Sequence, residues 1–347
     1  MEQPLAGLKV LDATTFIAGP FATLMLGDLG AHVTKIEAIP DGDPFNRMGG
    51  LEHGANVTYV NCNRGKELAF LDLKERVDQA EFRRLVTEAD VLVTNWRSST
   101  AASFGLTDDA VRALNPRLVW VKISGYGQSG PLADQPAFDP VIQARSGVAF
   151  VQGTQDDPQI LNFFFADKTA SMFVMSSALA ALVRRDRTGE GAIIDLPMLD
   201  ALAYFNFPDV YANLTMLDVE PTPRLARRGS QIVRTADGWL LVVPVGGRQI
   251  ASTLAAIGHP EWKEQLLAAG HELAPLLYDM LRQVLPSGTN EEWLHAFALH
   301  EVPAAPVVDP ADTIDDPQML HNGTFGETVH PDLGRIRTAR FPFNEAG

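Results

Sequence analysis

Asp167 stands directly behind the aromatic run Phe163-Phe164-Phe165 and at the start of a helical pattern, TASMFVMSSALAALVRRD, that is rich in small residues and stops at Thr188-Gly189. A carboxylate there accepts free N–H groups of the first turn and feels the positive end of the helix dipole, so it is expected to stay ionised and fixed in direction. That suits an aspartate nucleophile. It suits an ordinary N-cap equally, and the residues alone leave both open.

Other chemistry-bearing residues say less. His295 and His300 are five apart on one expected helix, not four, so they do not share a face as zinc ligands would, and no metal site is expected. Ser129 lacks the spacing of a nucleophile elbow and reads as a turn residue. Cys62, the single cysteine, excludes an intrachain disulfide and a thiolate zinc cage; it reads as a buried thiol in a reducing cytoplasm. The cations Arg64, Lys66, Lys74, Arg97 and Arg145 fall in separate short groups at strand–loop junctions, each a solvated surface residue or part of a converging anion site.

The elements that must position these residues alternate. Short β-rich runs at 9–13, 32–36, 68–71, 91–94, 118–124 and 192–196 are separated by helical patterns, among them 77–88 and 107–114 with Thr107 as N-cap. Such alternation predicts an α/β, Rossmann-like parallel sheet covered on both faces. The first unit has strand, helix, Gly30 and terminal acid Glu37 in dinucleotide-binding order, but G-x-G-x-x-G is absent and the turn Thr14–Pro20 is bulky. Gly30 therefore reads as a helix C-cap and Glu37 as a solvated strand end. Residues 125–165 read as Gly/Pro-rich loops. From about 225 a hairpin around Asp237-Gly238 and helices near 249–257, 261–284 and 291–300 suggest a smaller α+β domain. The expected division is a large domain at 1–200, a linker at 201–224, the small domain at 225–300, and a return linker with a C-terminal segment packing on the large domain at 301–347.

With 347 residues, 46% hydrophobic, the chain is long enough for two domains. Its net charge of −15, without a run of Lys/Arg, makes nucleic acid a poor partner. No 18-residue apolar span or signal-peptide pattern appears, so no membrane association is expected and the location is expected to be cytoplasmic.

Several motifs in order carry a resemblance: LAGLKVLDATTFIAGP (5–20), LGDLGAHVTKIE (26–37) with Gly42-Asp43, NCNRGKELAFLDLK (61–74), ADVLVTNWR (89–97), FGLTDDAVRALNPRLVWVKISGYGQSGP (104–131), FDPVIQARSG (138–147), RRDRTGEGAIIDLPMLDA (184–201) and EVPAAPV (301–307). The chain resembles the class III CoA-transferase family, which includes formyl-CoA and carnitine CoA-transferases and the α-methylacyl-CoA racemases. The resemblance implies that Asp167 is the nucleophile. It implies a CoA site at Ile17 and Ala18, at Leu71, Asp72, Leu73 and Lys74, and at Asn95, Trp96 and Arg97, with Lys74 and Arg97 as phosphate partners. Ala38 and Ser103 stand where formyl-CoA transferase has basic residues.

The implied activity moves CoA from an acyl-CoA to a small carboxylic acid through aspartyl anhydride and aspartyl-CoA intermediates, with CoA as substrate and no permanently bound cofactor. An interlocked homodimer is implied as well, and relatives run on into a further tail beyond Phe341-Pro342-Phe343. Racemisation is one alternative and a non-catalytic CoA-binding relative another. The racemase branch needs a histidine at the position of Phe138, and a phenyl ring cannot exchange an α-proton.

Overall fold

The structure is a computed structural model that describes residues 3–52, 54–154, 156–220 and 231–343. The chain divides into two compact units, one of Met1–Thr222 with Gly323–Gly347 and one of Pro223–Asn322.

The larger unit is built on six parallel strands: β1 (Lys9–Ala13), β2 (His32–Ala38), β3 (Glu67–Leu71), β4 (Val91–Thr94), β5 (Val119–Ser124) and β6 (Ala192–Pro197), in the order β3-β2-β1-β4-β5-β6. Around them lie α1 (Ala18–Asp28), α2 (Val57–Asn63), α3 (Arg76–Glu88), α4 (Ser98–Ser103), α5 (Asp108–Leu114), α6 (Asp139–Arg145), α7 (Val148–Gln152), α8 (Phe165–Thr188) and α9 (Met198–Val210). Alternating side chains feed two cores. Val10, Val91, Val93, Val119 and Val121 pack with α1 and α8 on one face. Leu11, Leu92 and Trp120 pack with Phe82, Val86 and Val111 of α3 and α5 on the other. Near-continuous apolar strands are what a sheet buried on both faces requires.

All six expected strands form, within two residues at their ends. Thr107 caps α5 by accepting from the Ala110 N–H, as expected. Gly30 follows α1 at φ +107°, a conformation only glycine adopts cheaply. Residues 125–165 are not all loop. They contain α6 and α7, short helices of about two turns and fewer that carry too little periodicity to be seen in the sequence.

The smaller unit holds an antiparallel sheet, β7 (Ile232–Arg234), β8 (Trp239–Val242) and β9 (Ala304–Pro306), in the order β7-β8-β9. Its helices are α10 (Gly246–Ala256), α11 (Lys263–Ala268), α12 (Leu273–Val284), α13 (Asn290–Leu299), α14 (Pro310–Thr313) and α15 (Pro317–Asn322), over a core of its own around Leu240, Leu254 and Leu281. The expected helix at 261–284 is two, broken at Gly270, whose φ is +56°. A last hairpin, β10 (Phe325–His330) and β11 (Gly334–Ala339), clusters with the larger unit. Within the stretch expected as a linker, α9 continues to Val210, and the expected boundary at 224/225 lies outside the described residues. Among the described residues no helix is long and apolar enough to cross a membrane.

Candidate functional site

The strand order reverses between β1 and β4, so the loops leaving these two strands diverge and open a crevice at the carboxyl edge of the sheet, where α/β folds bind ligands. Asn95, after β4, bridges it. Its Nδ2 donates to the Thr15 carbonyl at 2.9 Å and its Oδ1 accepts from the Thr15 N–H at 3.2 Å. A cavity of about 160 Å³ lies here, lined by Phe16–Ala18, Phe45, Asn95, Ile123–Gly125, Ala137–Pro140, Phe164, Asp167 and Met198. A second, of about 220 Å³, shares Asn95, Ile123–Gly125, Ala137 and Phe138 and continues to Trp96, Arg97 and Gln128.

The β1–α1 turn is held in an unusual shape. Phe16 has φ +67°, costly for a residue with a Cβ, and its N–H is held by the Asp43 carboxylate at 3.2–3.3 Å. Gly19 is required next to it, because a Cβ there would lie 2.3–2.4 Å from the Thr14 side chain. Ser171 Oγ then ties α8 to this turn, within 2.7 Å of the Ala18 carbonyl and 2.9 Å of the Asp167 carbonyl.

Asp167 sits in the first turn of α8, but it is not the N-cap. Phe164 holds that position without a side-chain cap bond, so the N-cap alternative left open by the residues does not hold. The Asp167 N–H goes to Asp139 Oδ2 at 2.9 Å, from the start of α6. Gln143 holds the other Asp139 oxygen through its Nε2, and its Oε1 accepts from the Leu161 N–H at 2.9 Å. With its helix amide already served, the Asp167 carboxyl faces the cavity wall of phenylalanines. Burial, and then the Asp139 charge, push its pKa up to about 7. The expectation that it stays firmly ionised is therefore also corrected: it is poised between its two forms near neutrality.

Under the turn lies a buried charge network. The Asp12 carboxylate accepts from Lys66 Nζ at 2.8 Å, Thr23 Oγ1 at 2.7 Å and the Thr14 N–H at 3.1 Å. Lys35 Nζ donates to the Thr14 carbonyl at 2.8 Å and to Asp43 Oδ2 at 3.3 Å. Burial opposes charge on Asp12, but Lys66 and Lys35 outweigh it and hold the carboxyl well below the usual carboxylate range. Glu37 is not a solvated strand end; it is 3% exposed, accepts a hydrogen bond from the Tyr59 hydroxyl at 2.6 Å and one from the Asp43 N–H. Cys62 is a buried thiol, and burial pushes it up to about 11.

Of the residues the resemblance named, Ile17, Ala18, Asn95 and Asp167 line the first cavity, and Trp96 and Arg97 line its continuation. Leu71 ends β3 and Asp72, Leu73 and Lys74 follow it on the same sheet edge; none lines either cavity, though Leu71, Leu73 and Trp96 share one apolar cluster. Lys74 and Arg97 are exposed. Arg64 and Lys66 are not surface cations: Arg64 pairs with Asp28 at 2.6 Å, and Lys66 is buried on Asp12. Asp139, Gln143 and Asp43 were missed as site residues. Their partners lie 18 to 28 residues away, and only the short FD-x-x-x-Q and Gly-Asp motifs hinted at them. Among the described residues no cluster of His, Cys, Asp and Glu could hold a metal ion.

Residues 5–347 match the profile of CoA-transferase family III. The chain is 29% identical over 365 residues to the succinyl-CoA:glutarate CoA-transferase of Homo sapiens, covering 99% of this chain and 82% of that protein. It is 31% identical over 328 residues to the acetyl-CoA:oxalate CoA-transferase of Acetobacter aceti, covering 91% of this chain and 83% of that one. The crystal structure of a CAIB/BAIF family protein from Brucella suis superposes with a TM-score of 0.85 at 27% identity, over 100% of this chain and 93% of that chain. The chain belongs to CoA-transferase family III.

Proposed function

We propose that the chain moves CoA from an acyl-CoA thioester to a carboxylic acid, with Asp167 as the covalent relay. The observation that carries this reading is the Asp167 carboxyl, poised at about 7 beside Asp139 in a phenylalanine-walled cavity that continues along a groove to Trp96 and Arg97. An Asp167 oxygen attacks the thioester carbonyl; the C–S bond breaks and CoA leaves as thiolate, giving a mixed anhydride. The thiolate attacks the Asp167 carbonyl carbon of that anhydride and releases the donor acid. The acceptor carboxylate displaces the thiolate from the aspartyl-CoA thioester, forming a second anhydride. Thiolate attack on the acceptor carbonyl then forms the new thioester and returns the Asp167 carboxylate. Ile17 and Ala18 bring the N-terminal end of α1 to the cavity, where its free amides stabilise the oxyanions.

CoA lies along Ile17, Ala18 and Asn95–Arg97, with Leu71–Lys74 at its far end and the exposed Lys74 and Arg97 on its phosphates. These local cations offset a net charge of −15 that would otherwise repel them. Racemisation is disfavoured by Phe138, whose ring stands in the cavity wall and carries no exchangeable proton.

The nucleophile must be ionised, so kcat/KM is expected to rise tenfold per pH unit below about 7 and to level off above it. Asp139→Asn removes a neighbouring negative charge and is expected to move this midpoint to lower pH. A profile flat between pH 5.5 and 8.5, or a midpoint indifferent to Asp139→Asn, overturns the assignment.

An interlocked homodimer, working in the cytoplasm, completes the reading. The dimer is supported by exposed large apolar side chains on and beyond α9, including Tyr204, Phe205, Phe207 and Leu217, which a partner surface would cover. Light scattering on the purified protein is expected to give twice the chain mass at micromolar concentration, and a monomer there refutes the dimer.

A further inference from the structure

We propose that the acyl group handled at Asp167 is an apolar, monocarboxylic one about the size of a benzene ring, and that dicarboxylic acids are poor substrates; this rests on the transferase reading above. Four phenylalanines from four separate segments build the cavity wall. Phe16 and Phe138 meet edge to face at 5.1 Å between centroids, Phe45 and Phe164 do so at 6.2 Å, and Phe16 and Phe45 join the two pairs at 5.8 Å. Rings locked against one another in this way form a fixed wall, and their contacts favour an aromatic or branched aliphatic guest. Met198 adds a polarizable thioether that adapts to such a shape. The cavity measures about 160 Å³. A space of about 150 Å³ is enough to take up benzene.

The charges point the same way. The two ionisable side chains among the described lining residues, Asp139 and Asp167, are both acids. The nearby cations are committed elsewhere, beginning with Arg97, which lines the continuation of the cavity and is assigned above to the CoA phosphates. Lys35 and Lys66 hold Asp43 and Asp12, and Lys168 Nζ lies 4.7 Å over the Phe163 ring. In an anhydride or aspartyl thioester Asp167 is neutral, but Asp139 keeps its carboxylate on the α8 amide. The spare carboxylate of a dicarboxylic acyl group would have to desolvate against phenyl rings and face that acid. The relatives named above carry glutarate and oxalate in their names, both dicarboxylic. The wall here selects a different class.

The strained Phe16 fits this role. A left-handed residue is kept where its ring closes the wall, and the buried Asp43 carboxylate holds its amide in that conformation.

The test uses the full-length protein with phenylacetyl-CoA, isovaleryl-CoA and succinyl-CoA as donors, each against phenylacetate, isovalerate, succinate and glutarate, with the thioesters separated by chromatography. Phenylacetate or isovalerate is expected to exceed succinate and glutarate by about 100-fold or more in kcat/KM, a ratio equal to about 2.7 kcal/mol. Phe138→Arg, which places a cation at an exposed part of the wall, is expected to narrow that ratio by about tenfold or more. Exchange in which succinate or glutarate equals or exceeds the apolar acids overturns the specificity and leaves the transferase reading standing. Absence of any Asp167-dependent exchange with every pair overturns the transferase reading and this inference with it.

Discussion

Asp167→Asn is expected to abolish CoA transfer and, at pH 8, to make the protein more stable. The loss follows from the nucleophile: an amide oxygen forms no anhydride, so activity is expected to fall by about 10³-fold or more. The gain follows from linkage. Burial and the Asp139 charge raise the Asp167 pKa from 3.8 to about 7, so folding disfavours its charged form. For an acid raised in this way, the favourable contribution is complete below the unfolded value and is lost as pH rises through the folded value. At pH 8 the carboxylate therefore strains the native state, and the neutral amide relieves it. The full shift would correspond to about 4 kcal/mol, and partial solvent access reduces this to about 1–3 kcal/mol. At pH 4 the native carboxyl is already protonated, and the variant is expected to match the parent. Thermal unfolding at the two pH values checks this. An ordinary capping aspartate would show the reverse, a loss of about 1 kcal/mol, because the α8 amide would lose its acceptor. Here Asp139 keeps that amide satisfied whatever stands at 167.

That contrast also marks where the sequence stopped being legible. Local rules carried the sheet: runs such as KVLDA and VLVT are apolar and short, and each became a strand with the same bounds. Local rules also placed Asp167 at a helix start. What serves the helix amide is not local, since Asp139 comes from a seven-residue helix 28 positions earlier, in a stretch whose Gly/Pro texture reads as loop. Glu37 and Lys66 failed for a related reason. A charged residue at a strand end or in a loop is usually solvated, and only partners brought by other segments allow its burial. Tyr59 lies 22 residues from Glu37, and Asp12 lies 54 from Lys66. Asp167 and the other cavity-lining residues named in advance came from matched motifs, whereas the groups that pack around them emerge only from tertiary packing.

Lys66→Met is expected to cost about 3–5 kcal/mol of stability, the usual consequence of leaving one member of a buried ion pair alone. Lys66 Nζ makes three bonds of 2.8 Å, to Asp12 Oδ2, the Pro20 carbonyl and Asn63 Oδ1. Methionine fills much of the same volume but supplies no donor, so Asp12 keeps a fully buried charge with only Lys35 and hydroxyl or amide partners near it. Adding Asp12→Asn removes that charge and is expected to recover more than half of the loss, a coupling that denaturant midpoints of the two single variants and the double variant measure directly. Purely additive losses would mean that the ion pair itself contributes nothing. The same change reaches function. Asp12 and Lys66 hold Thr14, Thr23 and Pro20, which flank the strained turn carrying Phe16, Ile17 and Ala18 into the cavity. In the folded fraction of Lys66→Met the turn relaxes while Asp139, on α6, still serves the Asp167 amide. Weaker acyl-CoA binding, read as a raised KM, is therefore expected with the midpoint of the pH profile left near 7, whereas a displaced midpoint would show that the network tunes the nucleophile rather than the turn.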